Sequence, residues 1–288
     1  MNLPYLAQRM FNTPLAIHPK KAEVVMAALA DRLGITRIES NFAMEDDDDG
    51  YDWSSQRETR SDPGYDNVSG VAVITIQGTL VQKLGSLRPY SGMTGYNGIR
   101  QAFLTALNDP EVEAICLDID SPGGEVAGCF DLVDVIYNSR GQKPIHAILT
   151  ESAYSAAYAI ASAADCICVP RTGGVGSVGV ITMHVDWSQQ IKNAGVAVTI
   201  ITFGDRKAES NPYQPLSDTA FAAIQHDINA MGELFVSTVA RNRGMKEKVV
   251  RDTEAACFMA ADGVALGLAD MVMTPDAAFR NLLKLTGA

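Results

Sequence analysis

The 288-residue sequence has no long hydrophobic run and no cluster of basic residues. No stretch reaches the roughly 18 uninterrupted apolar residues of a membrane-spanning helix, so we expect no membrane anchor. Lys and Arg number 23 against 34 Asp and Glu, and the formal charge of −11 would repel a phosphate backbone. We therefore expect no nucleic-acid partner. The first twenty residues, interrupted by Pro4, Arg9 and Pro14, also lack the apolar core of a signal peptide.

The number and spacing of the cysteines also limit the possible kinds of protein. The five cysteines are an odd number without CxxC spacing, and most lie in apolar runs where a thiol behaves as a small hydrophobe. This pattern argues against a disulfide framework and against a zinc site, so we expect a reducing, cytoplasmic location. We also expect no cofactor and no bound metal.

The first 66 residues differ in character from the rest. Lys20–Leu33 has apolar residues at i+4 spacing and is followed by Gly34, which predicts a short amphipathic helix. Residues 40–66 contain an acidic run and little that could form a core. We therefore predict a helical N-terminal arm with an acidic linker over residues 1–66, and one α/β domain over residues 67–288.

From Val71 onward, short β-rich runs alternate with helical periodicity, which predicts a mainly parallel sheet with flanking helices. The predicted strands are Val71–Ile76, Ala114–Ile119, Ile145–Leu149, Cys166–Val169, Val180–Met183 and Val196–Phe203. The predicted helices are Gly98–Leu107, Glu125–Asn138, Ser155–Ala163 and Asp218–Arg243. In the last helix, an apolar stripe from Phe221 to Val239 is typical of a core or a subunit interface.

Three segments carry residues suited to nucleophilic chemistry. Gly123 and Gly124 follow a predicted strand, where exposed backbone N–H groups form either half of an oxyanion hole or a plain structural turn. Ser155 begins a helix of small residues, so it either attacks a carbonyl while the Ala156 N–H stabilises the oxyanion, or simply caps the helix. Lys207 lies just beyond a predicted strand end and is either functional or a solvated charge.

A glycine-rich stretch from Thr172 to Ile181 runs into a predicted strand. It lacks the GK[ST] ending of a phosphate-binding loop and does not open a helix. We therefore predict no nucleotide site there.

Read together, these segments resemble the signal-peptide-peptidase-A family of Ser/Lys proteases, which has the ClpP/crotonase fold. The matching motifs are Asp120-Ser121-Pro122-Gly123-Gly124, Ser155-Ala156-Ala157-Tyr158, Gly176-Ser177-Val178-Gly179 and Gly204-Asp205-Arg206-Lys207. The resemblance implies Ser155 as the nucleophile and Lys207 as the general base. It further implies that Ser177 orients the lysine, and that the amides of Gly124 and Ala156 form the oxyanion hole.

The start of the chain narrows this resemblance. Asn2–Ala7 and Phe11–Leu15 are similar to the beginning of a branch of the family, the lambda-type phage head maturation proteases. This branch implies endoproteolysis of scaffold, portal or coat-related proteins, in the host cytoplasm or within the prohead. It also implies a homo-oligomer whose neighbouring subunits help to complete the active site.

The general base has to be uncharged to accept a proton. A lysine has a reference pKa near 10.4, and burial can lower it by up to about 3–5 units. We therefore expect docking of subunits or substrate to dry the surroundings of Lys207.

Several alternatives remain open at this level. One is a Ser-His-Asp triad with His184 as base and Asp186 as its orienting residue, although an i+2 spacing in one strand would point them to opposite faces. The others are a housekeeping bacterial cytoplasmic peptidase of the same family, a crotonase-like acyl-CoA enzyme and a non-catalytic capsid-assembly factor.

Overall fold

The structure, a computed structural model, describes residues 13–21 and 62–286. Its strands are β1 Leu15–Ile17, β2 Asp66–Val68, β3 Val71–Gln77, β4 Thr79–Val81, β5 Met93–Gly95, β6 Ala114–Ser121, β7 Gly123–Glu125, β8 Ile145–Tyr154, β9 Cys166–Val169, β10 Gly174–Gly176, β11 Cys257–Met259 and β12 Met271–Val272. Its helices are α1 Tyr96–Asn108, α2 Cys129–Asn138, α3 Ala156–Ser162, α4 Ser188–Asn193, α5 Asp218–Arg243, α6 Glu247–Arg251, α7 Ala260–Ala265 and α8 Pro275–Leu283.

The larger sheet is centred on three parallel strands, β3, β6 and β8. Their apolar side chains are buried on both faces, as expected when helices cover a parallel sheet. The two ends of β8 have different neighbours, since its first half pairs with β9 and its last three residues pair with β10, both in parallel. Antiparallel strands β2 and β11 lie at two edges of the sheet, and β12 pairs with β9 in parallel at a third. The predicted α/β architecture with a mainly parallel sheet and flanking helices is confirmed.

A second, four-stranded sheet has the order β1-β7-β4-β5. Strand β7 carries the glycine pair and runs parallel to β4 and antiparallel to β1. Strand β1 comes from the segment predicted as a helical arm, yet all three of its residues are buried. The N-terminal segment therefore contributes a strand to the body of the protein.

Helix α3 is the most deeply buried helix of the site region. All seven of its residues are buried, which its alanine-rich composition allows. The guanidinium of Arg140 donates hydrogen bonds to the carbonyls of Ser162, Ala163 and Ala164 at the end of α3. These bonds satisfy carbonyl groups that have no partner within the helix.

Two predicted strands are wrong. Residues 180–183 form only an isolated bridge between Leu15 and Ile181, and residues 196–203 form no strand. A β-branched run becomes a strand only where a neighbouring backbone satisfies its hydrogen bonds, and within residues 13–21 and 62–286 no strand pairs with residues 196–203. Helix α2 also begins at Cys129 instead of Glu125, because Gly123–Glu125 forms β7 and Gly128 adopts a left-handed conformation, with φ of 82°.

Helix α5 has the predicted bounds, but its apolar residues are not buried along its whole length. Phe235 and Val239 in its C-terminal half are fully buried, whereas Phe221 near its start is 58% exposed. The predicted apolar stripe therefore belongs to the core only at one end. The predicted helix Lys20–Leu33 lies outside the described residues beyond residue 21, and the acidic stretch 40–66 lies outside them up to residue 61.

Candidate active site

Ser155 stands at a sharp turn between strand β8 and helix α3. Its backbone has φ of 55° and ψ of −122°, a conformation that costs a non-glycine residue of the order of 1–3 kcal/mol. A serine on a strained strand-to-helix turn is the arrangement by which many hydrolases present a nucleophile. The surrounding hydrogen bonds hold this conformation, since Ser155 N donates to Gly176 O at 2.9 Å.

The hydroxyl of Ser155 does not cap the helix. No side-chain capping bond is made at this N-cap position, and the described acceptor for Oγ is Gly179 O, at 3.5 Å. The residue is 1% exposed in this conformation of the chain. The interpretation of Ser155 as a simple helix cap is therefore wrong.

The two glycines of β7 lie beside this serine, and each is packed against a different part of the backbone. Gly123 has φ of 98°, and a Cβ atom added to it would lie 2.9 Å from the Cβ of Ser155. Its amide donates to Ser121 Oγ at 3.2 Å. Gly124 is packed against strand β4, where an added Cβ would lie 1.8 Å from Leu80 O. Side chains at either position would therefore displace the backbone beside Ser155.

Ser177 is adjacent to Ser155 through strand pairing. Tyr154 and Gly176 are partners in the β8–β10 ladder, and each serine is the next residue of its strand. Ser177 is 5% exposed, with φ of 56°. Cys257, the partner of Gly176 in the β10–β11 ladder, lies beside it; burial raises the pKa of this thiol, and the neighbouring Ser177 opposes the rise.

Lys207 is not part of this cluster. It lies in an exposed turn, where its amide donates to Gly204 O at 3.1 Å. Within residues 13–21 and 62–286, no hydrogen bond or ion pair joins its ammonium group to Ser155 or Ser177. The structure thus brings together four predicted site residues, Ser155, Ser177, Gly124 and Ala156, and leaves the fifth in solvent.

The alternative base fares no better. Asp186 accepts a hydrogen bond from Ser188 N at 2.8 Å, at the start of α4, and the hydrogen bonds of Ser188 keep the pKa of this carboxyl low. Since the only acceptor described for Ser155 Oγ is Gly179 O, this hydroxyl makes no bond to His184 in the described part of the chain. The observed contacts do not assemble a Ser-His-Asp triad.

No helix in the described ranges combines the length and apolar character needed to cross a bilayer. The same ranges contain no group of three or more His, Cys, Asp or Glu side chains placed to hold a metal ion.

The site contains residues that sequence patterns did not identify. Gly179 supplies the carbonyl facing Ser155 Oγ, and β1 packs beside the glycine pair. The only available signal for β1 was the apolar triplet Leu15-Ala16-Ile17 after Pro14, which is too short to distinguish a strand from a helix or a loop.

A buried serine on a strained strand-to-helix turn, beside a glycine pair, is an arrangement that serine hydrolases also use. Residues 138–288, more than half of the chain, match the model of Peptidase family S49, and the chain belongs to this family. The predicted relationship to signal peptide peptidase A is confirmed, because a protein of Enterococcus faecium named for signal peptide peptidase SppA is 26% identical over 64% of this chain and 55% of its own length.

Two phage proteins are more similar. Capsid assembly protease C of Escherichia phage lambda is 38% identical over 96% of this chain, which spans 64% of that protein. The head-tail preconnector protein GP5 of Enterobacteria phage P21 is 38% identical over 93% of this chain, which spans 55% of that protein. The chain thus spans somewhat more than half the length of these phage relatives.

Proposed function

We propose that the chain is a serine endopeptidase with a ClpP/crotonase-like peptidase domain over residues 67–288, acting on scaffold, portal or coat-related proteins during phage head maturation. The observation that carries the proposal is the buried, strained Ser155 beside the β7 glycines. Membership of Peptidase family S49 and the names of the two phage relatives support both the reaction and the substrate class.

In the proposed reaction, Ser155 Oγ attacks a peptide carbonyl and passes its proton to the uncharged amine of Lys207. The amides of Gly124 and Ala156 stabilise the oxyanion. In comparable enzymes, the loss of one such donor raises the activation free energy by roughly 3–4 kcal/mol. Lys207 then protonates the leaving amine, and an activated water hydrolyses the acyl-enzyme. Ser177, one strand away from Ser155, orients the lysine.

The exposed position of Lys207 means that the dyad has to be completed by a rearrangement. The segment that precedes it contains Ile201, 91% exposed, and Phe203, 102% exposed. Burying two such side chains would yield about 1.5–3 kcal/mol each. We propose that this segment docks on a neighbouring subunit of a homo-oligomer, and that docking moves Lys207 into a dry site containing a Ser155.

The proposed site of action is the host cytoplasm or the prohead, where head proteins assemble. This rests on the names of the phage relatives, which describe capsid assembly and a head-tail preconnector.

The test is cleavage of co-expressed head proteins, followed by intact-mass analysis. We expect the wild-type chain to produce defined fragments and Ser155→Ala to produce none, with Ser155 labelled by a fluorophosphonate only in the wild type. Ser237→Ala, at a partly exposed serine of α5, is the matched control and should cleave normally. Unchanged cleavage by Ser155→Ala would rule out this nucleophile.

A further inference from the structure

Strand β1 lies in the cleft beside Ser155, bonded along both of its edges. On one edge it pairs antiparallel with β7, with Ile17 opposite Gly123 and Leu15 opposite Glu125. On the other edge, Leu15 N donates to Ile181 O and Ile181 N donates to Leu15 O, both at 2.8 Å. The side chains of Leu15, Ala16 and Ile17 are 3%, 0% and 4% exposed. The strand thus fills the space between these two backbone segments.

The register places a carbonyl of β1 at the proposed oxyanion donor. Opposite residues of an antiparallel pair alternate between those that exchange both main-chain hydrogen bonds and those that exchange none. Bonds from His18 N to Pro122 O, at 2.7 Å, and from Val126 N to Pro14 O, at 3.3 Å, set this alternation. Ala16 and Gly124 are therefore a bonded pair, and the Gly124 amide faces Ala16 O.

The same carbonyl is close to the nucleophile. A Cβ atom added to Gly123 would lie 2.3 Å from Ala16 O and 2.9 Å from Ser155 Cβ, so both atoms border one point. Beyond it, the ring of His18 packs on the ring of Tyr154, with centroids 5.1 Å apart. The chain from residue 14 to residue 18 therefore passes directly over the Ser155 turn.

An extended segment held by main-chain bonds, with alternate side chains in pockets, is a general way in which proteins bind peptides. We propose that residues 14–18 occupy the peptide-binding cleft as an internal competitor, so that a substrate chain binds only after β1 has left. This inference rests on the proposed function, since it takes the cleft beside Ser155 to be the place where substrate binds.

The contacts of β1 define what a substrate has to replace in order to displace it. A tethered segment competes at an effective concentration in the millimolar range, so it excludes weak peptides without a strong interface. The strand itself is only three residues long and has only an isolated bridge on its Ile181 edge. Release breaks the main-chain hydrogen bonds on both edges of β1, each with a net value of about 0.5–1.5 kcal/mol, and exposes Leu15 and Ile17, so a substrate has to supply equivalent contacts.

A reversible disulfide between β1 and its neighbour tests the proposal. Leu15 and Ile181 are a bonded antiparallel pair, for which the Cα atoms are about 5.5 Å apart, inside the disulfide range of about 4.4–6.8 Å. We expect oxidised Leu15→Cys/Ile181→Cys to cleave a peptide at least 10-fold more slowly than the same protein after reduction. Equal or faster cleavage in the oxidised form would overturn the proposal.

The controls are the two single-cysteine variants and the wild type under the same oxidant, because the chain has cysteines of its own. None of them should respond to reduction to the same extent. Intact mass confirms that the engineered bond has formed.

A binding measurement separates this proposal from the proposed function. In a Ser155→Ala background, we expect a fluorescent peptide of sequence Thr-Pro-Leu-Ala-Ile-His to bind the reduced double-cysteine protein more tightly than the oxidised one. If the protein cleaves no substrate, but the peptide binds more tightly after the disulfide is reduced, only the proposed reaction is refuted. If cleavage requires Ser155, but the disulfide changes neither peptide binding nor cleavage, only the proposal that β1 occupies the substrate cleft is refuted.

Ala16→Glu is a second, independent variant. The side chain of Ala16 is 0% exposed, so a carboxylate there should expel β1. We expect several-fold faster fluorophosphonate labelling of Ser155 than in the wild type. Slower labelling by a protein with unchanged circular dichroism would contradict the proposal.

Discussion

Gly123 and Ser155 are in direct contact, because a Cβ atom on Gly123 would lie 2.9 Å from that of the serine. The glycine also has φ of 98°, a backbone conformation that side chains rarely adopt. Two distant parts of the sequence are thereby held at the same point, one at the start of β7 and one directly after β8.

This contact predicts a large effect of Gly123→Ala. Backbone strain of about 1–3 kcal/mol and overpacking of about 1–3 kcal/mol should add, so we expect a clear loss of unfolding free energy and at least 100-fold lower activity. Urea unfolding and peptide cleavage measure the two effects. Gly85→Ala is the matched control, since nothing lies within 4 Å of a Cβ atom there, and it should change stability by less than about 0.5 kcal/mol.

The strained backbone of Ser155 predicts that serine is not the most stable residue at this position. Because φ is 55°, glycine should relieve strain of about 1–3 kcal/mol in the folded state. The greater entropy of glycine should stabilise the unfolded chain by about 0.4–1 kcal/mol, which is the smaller effect. We expect Ser155→Gly to melt above Ser155→Ala in calorimetry, with both variants inactive. A lower melting temperature for the glycine variant would mean that the turn is not strained.

Because Lys207 lies in an exposed turn, we expect its substitution to change activity while leaving stability almost unchanged. Lys207→Ala should abolish peptide cleavage, because the proposed base is lost, and should change the unfolding free energy by less than about 0.5 kcal/mol. Lys192→Ala, at another exposed lysine, is the control and should retain activity. Full activity of Lys207→Ala would mean that another group accepts the Ser155 proton.

The ion pair between Arg243 and Asp270 predicts part of the acid sensitivity of the fold. Burial raises the pKa of Asp270, but hydrogen bonds from Arg243 and the Ile167 amide outweigh this and leave the pKa below its ordinary value. A carboxyl with a lowered folded-state pKa contributes stability that is complete above the ordinary value, near 3.9, and is lost as pH falls through the folded-state value.

We therefore expect Asp270→Asn to be less stable at pH 7 and to lose less stability than the wild type between pH 5 and pH 2. The cost at pH 7 should be about 2–4 kcal/mol, somewhat less than for a fully buried pair, because 35% of the Asp270 side chain is exposed. Urea unfolding across this pH range is the measurement. Asp134→Asn breaks a pair with Arg241 that is exposed on both sides and should cost less than about 1 kcal/mol.

The parts of the fold that sequence could predict are those fixed by local physical chemistry. Helix α5 has the predicted bounds because Ser217 caps its start and Gly244 ends it in a left-handed conformation. Strands β3, β6 and β9 were recognisable because strands buried on both faces are continuous apolar runs. Ser155 and the glycine pair were recognisable because their motifs lie at strand ends.

Residues 180–183 and 196–203 show the limit of that reasoning. Their β-branched composition states a preference for extended backbone, but it does not specify a hydrogen-bonding partner. Among the described residues, Ile181 pairs with Leu15 through an isolated bridge, and the second segment is exposed at Ile201 and Phe203. Lys207 follows this segment and is exposed as well.

The sequence by itself determined the mainly parallel α/β sheet, the serine at the end of β8 and the glycines beside it, because each depends on periodicity or on the backbone freedom of one residue. Only the tertiary structure decided that Leu15–Ile17 lies over that serine and that Lys207 lies away from it. Both are questions of which distant backbone satisfies which hydrogen bonds, and that choice depends on the whole assembled chain.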